Sequence, residues 1–289
     1  MKITDLLNFN FNRKQIRIRN NITAYIIVVL SLIFFIFPML WIFYCSFRTQ
    51  ESIFTAKLIP PLEGFTLINY SNIFSETDFP RYFLNSIEIS GLVTLLSLII
   101  SILGGYGLSR YEIKGKKTIL LGIFSTQMFP QVLMLIPLFI LVFTLKLIDK
   151  KIGIVLTQLI LVLPFCMWML KSYFDTIPND VDDSAKIDGC NIFQLLWKII
   201  LPIAAPGIMV AAFFSFVVSW SDYLIVSVIS QSQSTATLTL IVARLSSSLN
   251  IRWGLVCAAV TLTIIPTLFL FSFVQRRLIE GMTAGALRE

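Results

Sequence analysis

The 289-residue sequence has no histidine. That removes the commonest metal ligand and neutral-pH general base. Any Ser-His-Asp or Cys-His catalytic set goes with them. Charge is scarce too: 13% of residues are Asp, Glu, Lys or Arg, about half the roughly 25% of a soluble domain. The four cysteines, Cys45, Cys166, Cys190 and Cys257, are far apart and form no C-x-x-C pair. Neither a zinc site nor a disulfide framework is indicated, and they read as small packing hydrophobes. A P-loop is also missing. The nearest string, Gly115-Lys116-Lys117-Thr118, lacks the spaced glycines whose backbone amides cradle phosphate. No pair of carboxylates suits glycoside chemistry, and no reactive cluster suits an enzyme acting on lipid.

What the chain has instead is apolar length. Hydrophobic residues make up 56% of it, and the mean hydropathy is +0.84. At a rise of about 1.5 Å per residue, roughly 20 apolar residues cross a bilayer. Six runs meet that length: Ala24–Phe47, Tyr82–Leu108, Thr118–Leu145, Ile154–Phe174, Ile203–Ile229 and Trp253–Val274. The expected architecture is an all-α integral membrane protein with six transmembrane helices, and the lipid bilayer is its first partner. The organisation expected is a basic arm over 1–23, a membrane domain over 24–274 and a tail over 275–289. Prolines inside the runs, Pro38, Pro130, Pro137 and Pro164, do not veto them, because neighbouring helices can re-satisfy the backbone.

The net charge of +7 does not ask for nucleic acid here, because lysine and arginine mark cytoplasmic loops. The arm carries Lys2, Arg13, Lys14, Arg17 and Arg19, and the loop after the second run carries Arg110, Lys114, Lys116 and Lys117. Both termini are therefore expected inside, against the local signal of Lys146, Lys150 and Lys151.

One polar interruption then falls on the cytoplasmic side, between the fourth and fifth runs: "IPNDVDDSAKIDGCNIFQLLWKIILP", residues 177–202. Pro178 suits a first helical turn, with Asn179 or Asp180 as a cap. Asp180, Asp182 and Asp183 suit the positive end of the helix dipole. Gly189 can take the left-handed conformation that ends a helix. Asn191 can cap a second helix, Ile192–Ile199, and Pro202 stops it or starts the return to the membrane. Ile192, Leu195, Leu196 and Ile199 share one face of it, with Phe193 and Trp197 beside them. Such a helix could rest on lipid or dock a cytoplasmic partner. Near the outer end of the fifth run, Asp222 is either loop-edge structure or part of a translocation path. Trp220 and Tyr223 beside it could stack on a sugar ring or anchor at the interface.

"DDSAKIDGCNIFQLLWKIILPIAAPGI" resembles the EAA signature of binding-protein-dependent ABC importer permeases. Asp183-Ser184-Ala185 stand where E-A-A is usual, Gly189 is the glycine, and Leu201-Pro202 is the L-P. "FTLINYSNIF", "YFLNSIEIS" and "GGYGLSRYEIKGKK" resemble stretches of the maltose-type carbohydrate permeases. So does "SWSDYLIVSVI", without the usual proline after Leu224-Ile225. "QRRLIEGMTAGALRE" is similar to the C-terminal tail of the smaller maltose-type subunit.

The resemblance implies a type I importer permease in a prokaryotic inner membrane. It would be a non-enzymatic subunit that translocates a sugar or related solute delivered by an extracytoplasmic binding protein. It implies a second homologous permease and two ATPase subunits, which would use ATP and Mg, with no cofactor on this chain. Asp183, Ser184, Ala185, Asp188, Gly189, Phe193, Leu201 and Pro202 would form the coupling helix that docks the ATPase. Gly281, Thr283, Ala284 and Gly285 would be a second ATPase contact. An ATP-independent secondary carrier or channel is the alternative. The lack of acids at the middle of any run and of a repeated half argue against it.

Overall fold

The computed structural model describes residues 13–54, 64–248 and 250–286, with side chains described over 21–54, 64–248 and 250–275. Among the described residues the chain is helical, and the β pairing is a single isolated bridge between Arg48 and Phe65. Helix α1 (Arg13–Ser46) leads through α2 (Gln50–Ile53) and α3 (Ile68–Glu76) to α4 (Phe79–Arg110). There follow α5 (Lys116–Ser125), α6 (Gln131–Thr144), α7 (Lys151–Phe174), α8 (Asn179–Ile187) and α9 (Ile192–Leu195). The chain ends with α10 (Leu201–Ser221), α11 (Leu224–Ile229), α12 (Leu238–Ser246) and α13 (Trp253–Ala286). Among these, five helices are long and apolar enough to cross a membrane, and six spans result if the bent pair α5–α6 counts as one. One end of the bundle, the arm end, holds the start of α1, the ends of α4 and α7, and α8–α9. The far end holds α2, α3, α11 and α12.

The third and fifth runs are each broken within the expected span. The stretch Thr118–Leu145 is two helices meeting at 102°. Phe129 is extended, with φ −78° and ψ 129°, and Pro130 follows with ψ 128°. Proline has no N–H to continue the ladder and pushes the residue before it out of the helical region. Two consecutive extended residues therefore turn the chain. The stretch Ile203–Ile229 breaks at Asp222, which has ψ 122°, so α11 is a separate short helix. At the C-terminus the helix does not stop at Val274. It runs on through Gly281, Thr283, Ala284 and Gly285 to Ala286, and the side chains of those four lie outside the described residues.

The core is the packing of α4, α7 and α10. On α7, Val155, Leu159, Val162, Cys166 and Leu170 are all buried. Their spacing of three and four residues makes one continuous inward stripe. The facing stripe on α4 is small and polar: Ser90, Ser97, Ser101 and Gly105 are buried. Small residues let membrane helices approach closely. At Gly105 an added Cβ would lie 3.0 Å from the Lys171 backbone nitrogen. At Gly207 it would meet the Tyr173 ring at 2.6 Å. Ser97 and Ser215 hydroxyls bond across α4 and α10 at 2.7 Å.

By contrast, none of the most apolar stretch of α1 is buried, and α1 packs on α13. At the far end α1 is tied to α3 through a corner. Asn69 Nδ2 donates to the carbonyls of Ser46 and Arg48 at 2.9 and 2.8 Å. The buried Arg48 donates to the Tyr44 hydroxyl at 3.0 Å and to Ser52.

Candidate functional site

The α8–α9 segment crosses the arm end. Pro178, with ψ 141°, occupies the cap position of α8, and Asn179 is already helical, with no side-chain cap bond. The expected Asn179 or Asp180 cap is therefore not made. Pro178 is locked in the extended geometry that precedes a helix, so the first turn starts one residue early. Asp180 and Asp182 lie in that turn, where the dipole favours them. Gly189 closes the helix with φ +80°. Its N–H reaches the Lys186 carbonyl at 3.0 Å, and the Cys190 N–H reaches the Ala185 carbonyl at 3.0 Å. This is the Schellman arrangement, in which a left-handed residue satisfies the last free carbonyls. Asn191 then opens α9 with a reciprocal cap. Asn191 Oδ1 accepts from the Gln194 N–H, and Gln194 Oε1 accepts from the Asn191 N–H, each at 2.9 Å.

Of the two roles expected for Pro202, the structure shows the return to the membrane: it lies in the first turn of α10 and does not stop the helix. A π turn, Leu196–Ile200, joins α9 to α10, so helix runs unbroken from Ile192 to Ser221. Pro202 cannot donate to the carbonyl four residues back, and its ring crowds it. The wider π turn beneath it takes up that misfit. Leu195, Leu196 and Ile200 face inward and are buried. Asp183, Ser184, Asp188 and Pro202 are exposed, Ala185 is buried and Leu201 half-buried. Ile187 is 86% exposed, and Phe193 and Trp197 are each 69% exposed. With Ile192 they are large apolar side chains left exposed on this short segment, Phe193 and Trp197 one helical turn apart.

Asp182 ties the segment to the bundle. Its Oδ1 accepts from the Tyr106 hydroxyl at 2.5 Å, and its Oδ2 lies 2.9 Å from Arg110 Nε. Arg110 also donates to the Phe174 carbonyl at 3.2 Å. Tyr106, Arg110 and Asp182 were not singled out as site residues from the sequence. The signal was present, since Tyr106 and Arg110 belong to "GGYGLSR" and Asp182 adjoins Asp183.

Toward the far end, Asp222 is buried at the α10–α11 break. Gln131 Nε2 and Gln158 Nε2 donate to its two carboxylate oxygens at 3.0 Å each. Gln158 Oε1 accepts from Ser219 at 2.6 Å. Gln131 is the first residue after the Pro130 break, so the two helix breaks are tied together. The outer halves meet again above. The Asp149 N–H donates to the Ile229 carbonyl at 3.1 Å. The Asp149 carboxylate accepts from the N–H groups of Gln231 and Ser232 at 3.0 Å and from the Thr235 hydroxyl. Burial works to raise the Asp149 carboxyl, but these hydrogen bonds outweigh it and hold it below the usual carboxylate range. Trp220 is buried. Its Nε1 donates to the Thr263 carbonyl at 3.1 Å, and its ring packs on Phe83 and Phe216. Tyr223 is exposed. The structure thus brings Asp222 together with Gln131 and Gln158, while the Tyr223 side chain next to it is exposed. Gln131 and Gln158 carried no signal beyond being amides in apolar runs.

A multi-span helical bundle with a two-helix crossover laid over one end defines a membrane permease architecture. The chain belongs to the family of inner membrane components of binding-protein-dependent transport systems, whose pattern it matches over residues 97–283. It is 33% identical to the inner membrane ABC transporter permease protein YcjP of Escherichia coli K12, over 94% of this chain and 98% of that one. It is 32% identical to the sulfoquinovosyl glycerol transport system permease protein SmoH of Agrobacterium fabrum, over 88% and 89% respectively. Its fold matches a bacterial ABC transporter that imports the acidic polysaccharide alginate. The TM-score is 0.77 at 22% identity, over 90% of this chain and 96% of that one. The fold is that of the ABC importer permeases, and the chain is a multi-pass membrane subunit of such a transporter.

Proposed function

We propose that this chain forms half of the pore of an ATP-driven importer for a sugar or glycoside, with both termini and α8–α9 on the cytoplasmic side. The carrying observation is the exposure of Ile187, Ile192, Phe193 and Trp197 on a segment whose opposite side is buried in the bundle. Large apolar side chains exposed together mark a docking surface. A separate ATPase pair, using ATP and Mg, would take those side chains, and the Gly281–Gly285 stretch of α13 is its second contact. The uncovered surface of α1 suits a second permease. An extracytoplasmic binding protein would deliver the solute to the far end. The sugar class rests on relatives such as the SmoH permease and the maltodextrin permease MdxG of Bacillus subtilis.

In this reading the far-end unit is the moving gate. The outer halves α6 and α11 are pinned at both ends, by Gln131 to Asp222 and by Asp149 to the 229–235 loop. The extended backbone at Phe129–Pro130 and at Asp222 gives it hinges, as discontinuous membrane helices do in transporters. Asp222 then serves the path by positioning, and Tyr223 is the exposed aromatic beside it. Gentle purification of the tagged chain tests the assembly. A second permease and an ATPase at about twice its amount should come with it. A chain recovered alone or as copies of itself contradicts the proposal.

A further inference from the structure

Asp182, Arg110 and Tyr106 are more than packing in the bundle. The Arg110 and Asp182 side chains are 9% and 6% exposed. Tyr106 and Arg110 are four residues apart, on the last turn of α4. From that turn Arg110 holds the last carbonyl of α7 at 3.2 Å, and the Tyr106 ring meets Phe174 edge-on at 5.8 Å. The Arg110 guanidinium lies 6.0 Å from the Tyr106 ring centroid. One helical turn therefore grips the end of α7 and the first turn of α8 together.

Stability alone does not explain the arrangement. A buried ion pair gains little net energy over apolar side chains of the same volume, because both ions lose their water. Here Arg110 Nε, Arg110 Nη2 and Asp182 Oδ2 are buried with no hydrogen bond among the described residues, so the 2.9 Å pair is a charge contact that is not fully compensated. Ala185, Leu195 and Leu196 already bury the apolar underside of the segment. What they cannot supply is direction, because apolar contact allows sliding. The Tyr106 hydroxyl bonded to one carboxylate oxygen, with the Arg110 charge 2.9 Å from the other, fixes the angle and register of α8 against α4.

We propose that Asp182, Arg110 and Tyr106 are positioning residues that deliver the movement of the α8–α9 segment to α4, and through it to the α4–α7–α10 core. This rests on the importer reading above. Force applied at Phe193 and Trp197 reaches α8 across the short Gly189 turn. The carboxylate then passes it to α4, which spans the membrane toward the gate. Without the carboxylate contact the segment stays seated but slips, and ATP is spent with less solute moved.

The test uses the whole assembly in proteoliposomes, with uptake and ATP hydrolysis measured together. The solute is the one its binding protein takes from a sugar screen. The readout is solute moved per ATP. Asp182→Asn and Arg110→Gln should each lower that ratio by about tenfold, within the usual range of coupling between sites. Arg110→Lys, which keeps the charge, should retain at least about a third of it. Wild-type ratios in the Asn and Gln variants overturn the proposal. If either variant loses its ATPase on purification, the milder Tyr106→Phe decides. It should cost about threefold, the low end of what one lost hydrogen bond is worth, and an unchanged ratio there overturns the proposal equally. A wild-type assembly that moves solute without ATP removes the importer reading and this role with it. ATP-dependent wild-type uptake with unaffected variants removes this role alone.

Discussion

Gly189 shows how much one residue can decide. Its φ of +80° is left-handed, and a β-branched side chain there costs roughly 1–2 kcal/mol. A Cβ would meet nothing within 4 Å, so the penalty falls on the turn alone. Gly189→Val should leave expression and insertion intact while lowering solute moved per ATP. Gly189→Asn, which tolerates this conformation, should lower it much less. Wild-type coupling in the Val variant would remove the turn from the mechanism. Phe193 and Trp197 make a complementary case. Each is 69% exposed, so Phe193→Ala and Trp197→Ala should leave the fold unchanged. Truncating such anchors at an interface typically costs about 2 kcal/mol or more, so each should weaken ATPase capture by at least about tenfold. Pull-down at graded ATPase concentration checks this.

Both the Gly189 turn and the Asn191 cap were legible in the sequence, because each acts on its own neighbours. Asp182 was not, since its partners Tyr106 and Arg110 lie far back in the chain and meet it only after α4 and α7 pack. The burial of Trp220 was hidden for the same reason. An aromatic at the end of an apolar run reads equally as anchor, ligand platform or core.

At the scale of elements, the apolar runs located the helices, and the breaks within them escaped. A proline in a membrane run is locally ambiguous, because neighbours decide whether its lost hydrogen bond kinks the helix or ends it. Pro38, Pro137, Pro164 and Pro266 all sit inside continuous helices, while Pro130 ends one. The difference is tertiary: Gln131 is drawn to Asp222, whose own break depends on Gln131 and Gln158. The Asp149 clamp above them predicts a pH effect. Its carboxyl is depressed in the folded state, so its contribution is complete above the unfolded value of about 4 and fades as pH falls through the lower folded value. Asp149→Asn should lower the melting temperature in detergent at pH 7. That difference should shrink below about pH 4, as the wild-type carboxylate protonates. A difference that stays constant with pH would mean the clamp does not act through its charge.

For the whole molecule, the chain makes sense as a part. α1 leaves Phe34, Phe35 and Leu40 exposed on different sides of the helix, covered by none of the described residues. The α8–α9 segment is built with a reciprocal cap and a Schellman close, yet it presents its largest apolar side chains outward. Both faces fit the other subunits proposed above. Removing residues after Val274 should weaken ATPase retention on purification while the bundle stays folded, because the α4–α7–α10 core lies upstream. Unchanged retention would take the Gly281–Gly285 stretch off the interface.

The most direct measurement is uptake into proteoliposomes holding the chain with its co-purified subunits and the binding protein, loaded with its sugar. The account predicts uptake that starts with ATP and Mg, stops with a non-hydrolysable analogue, and is indifferent to collapsed ion gradients. Uptake driven by a sodium or proton gradient without ATP would contradict it.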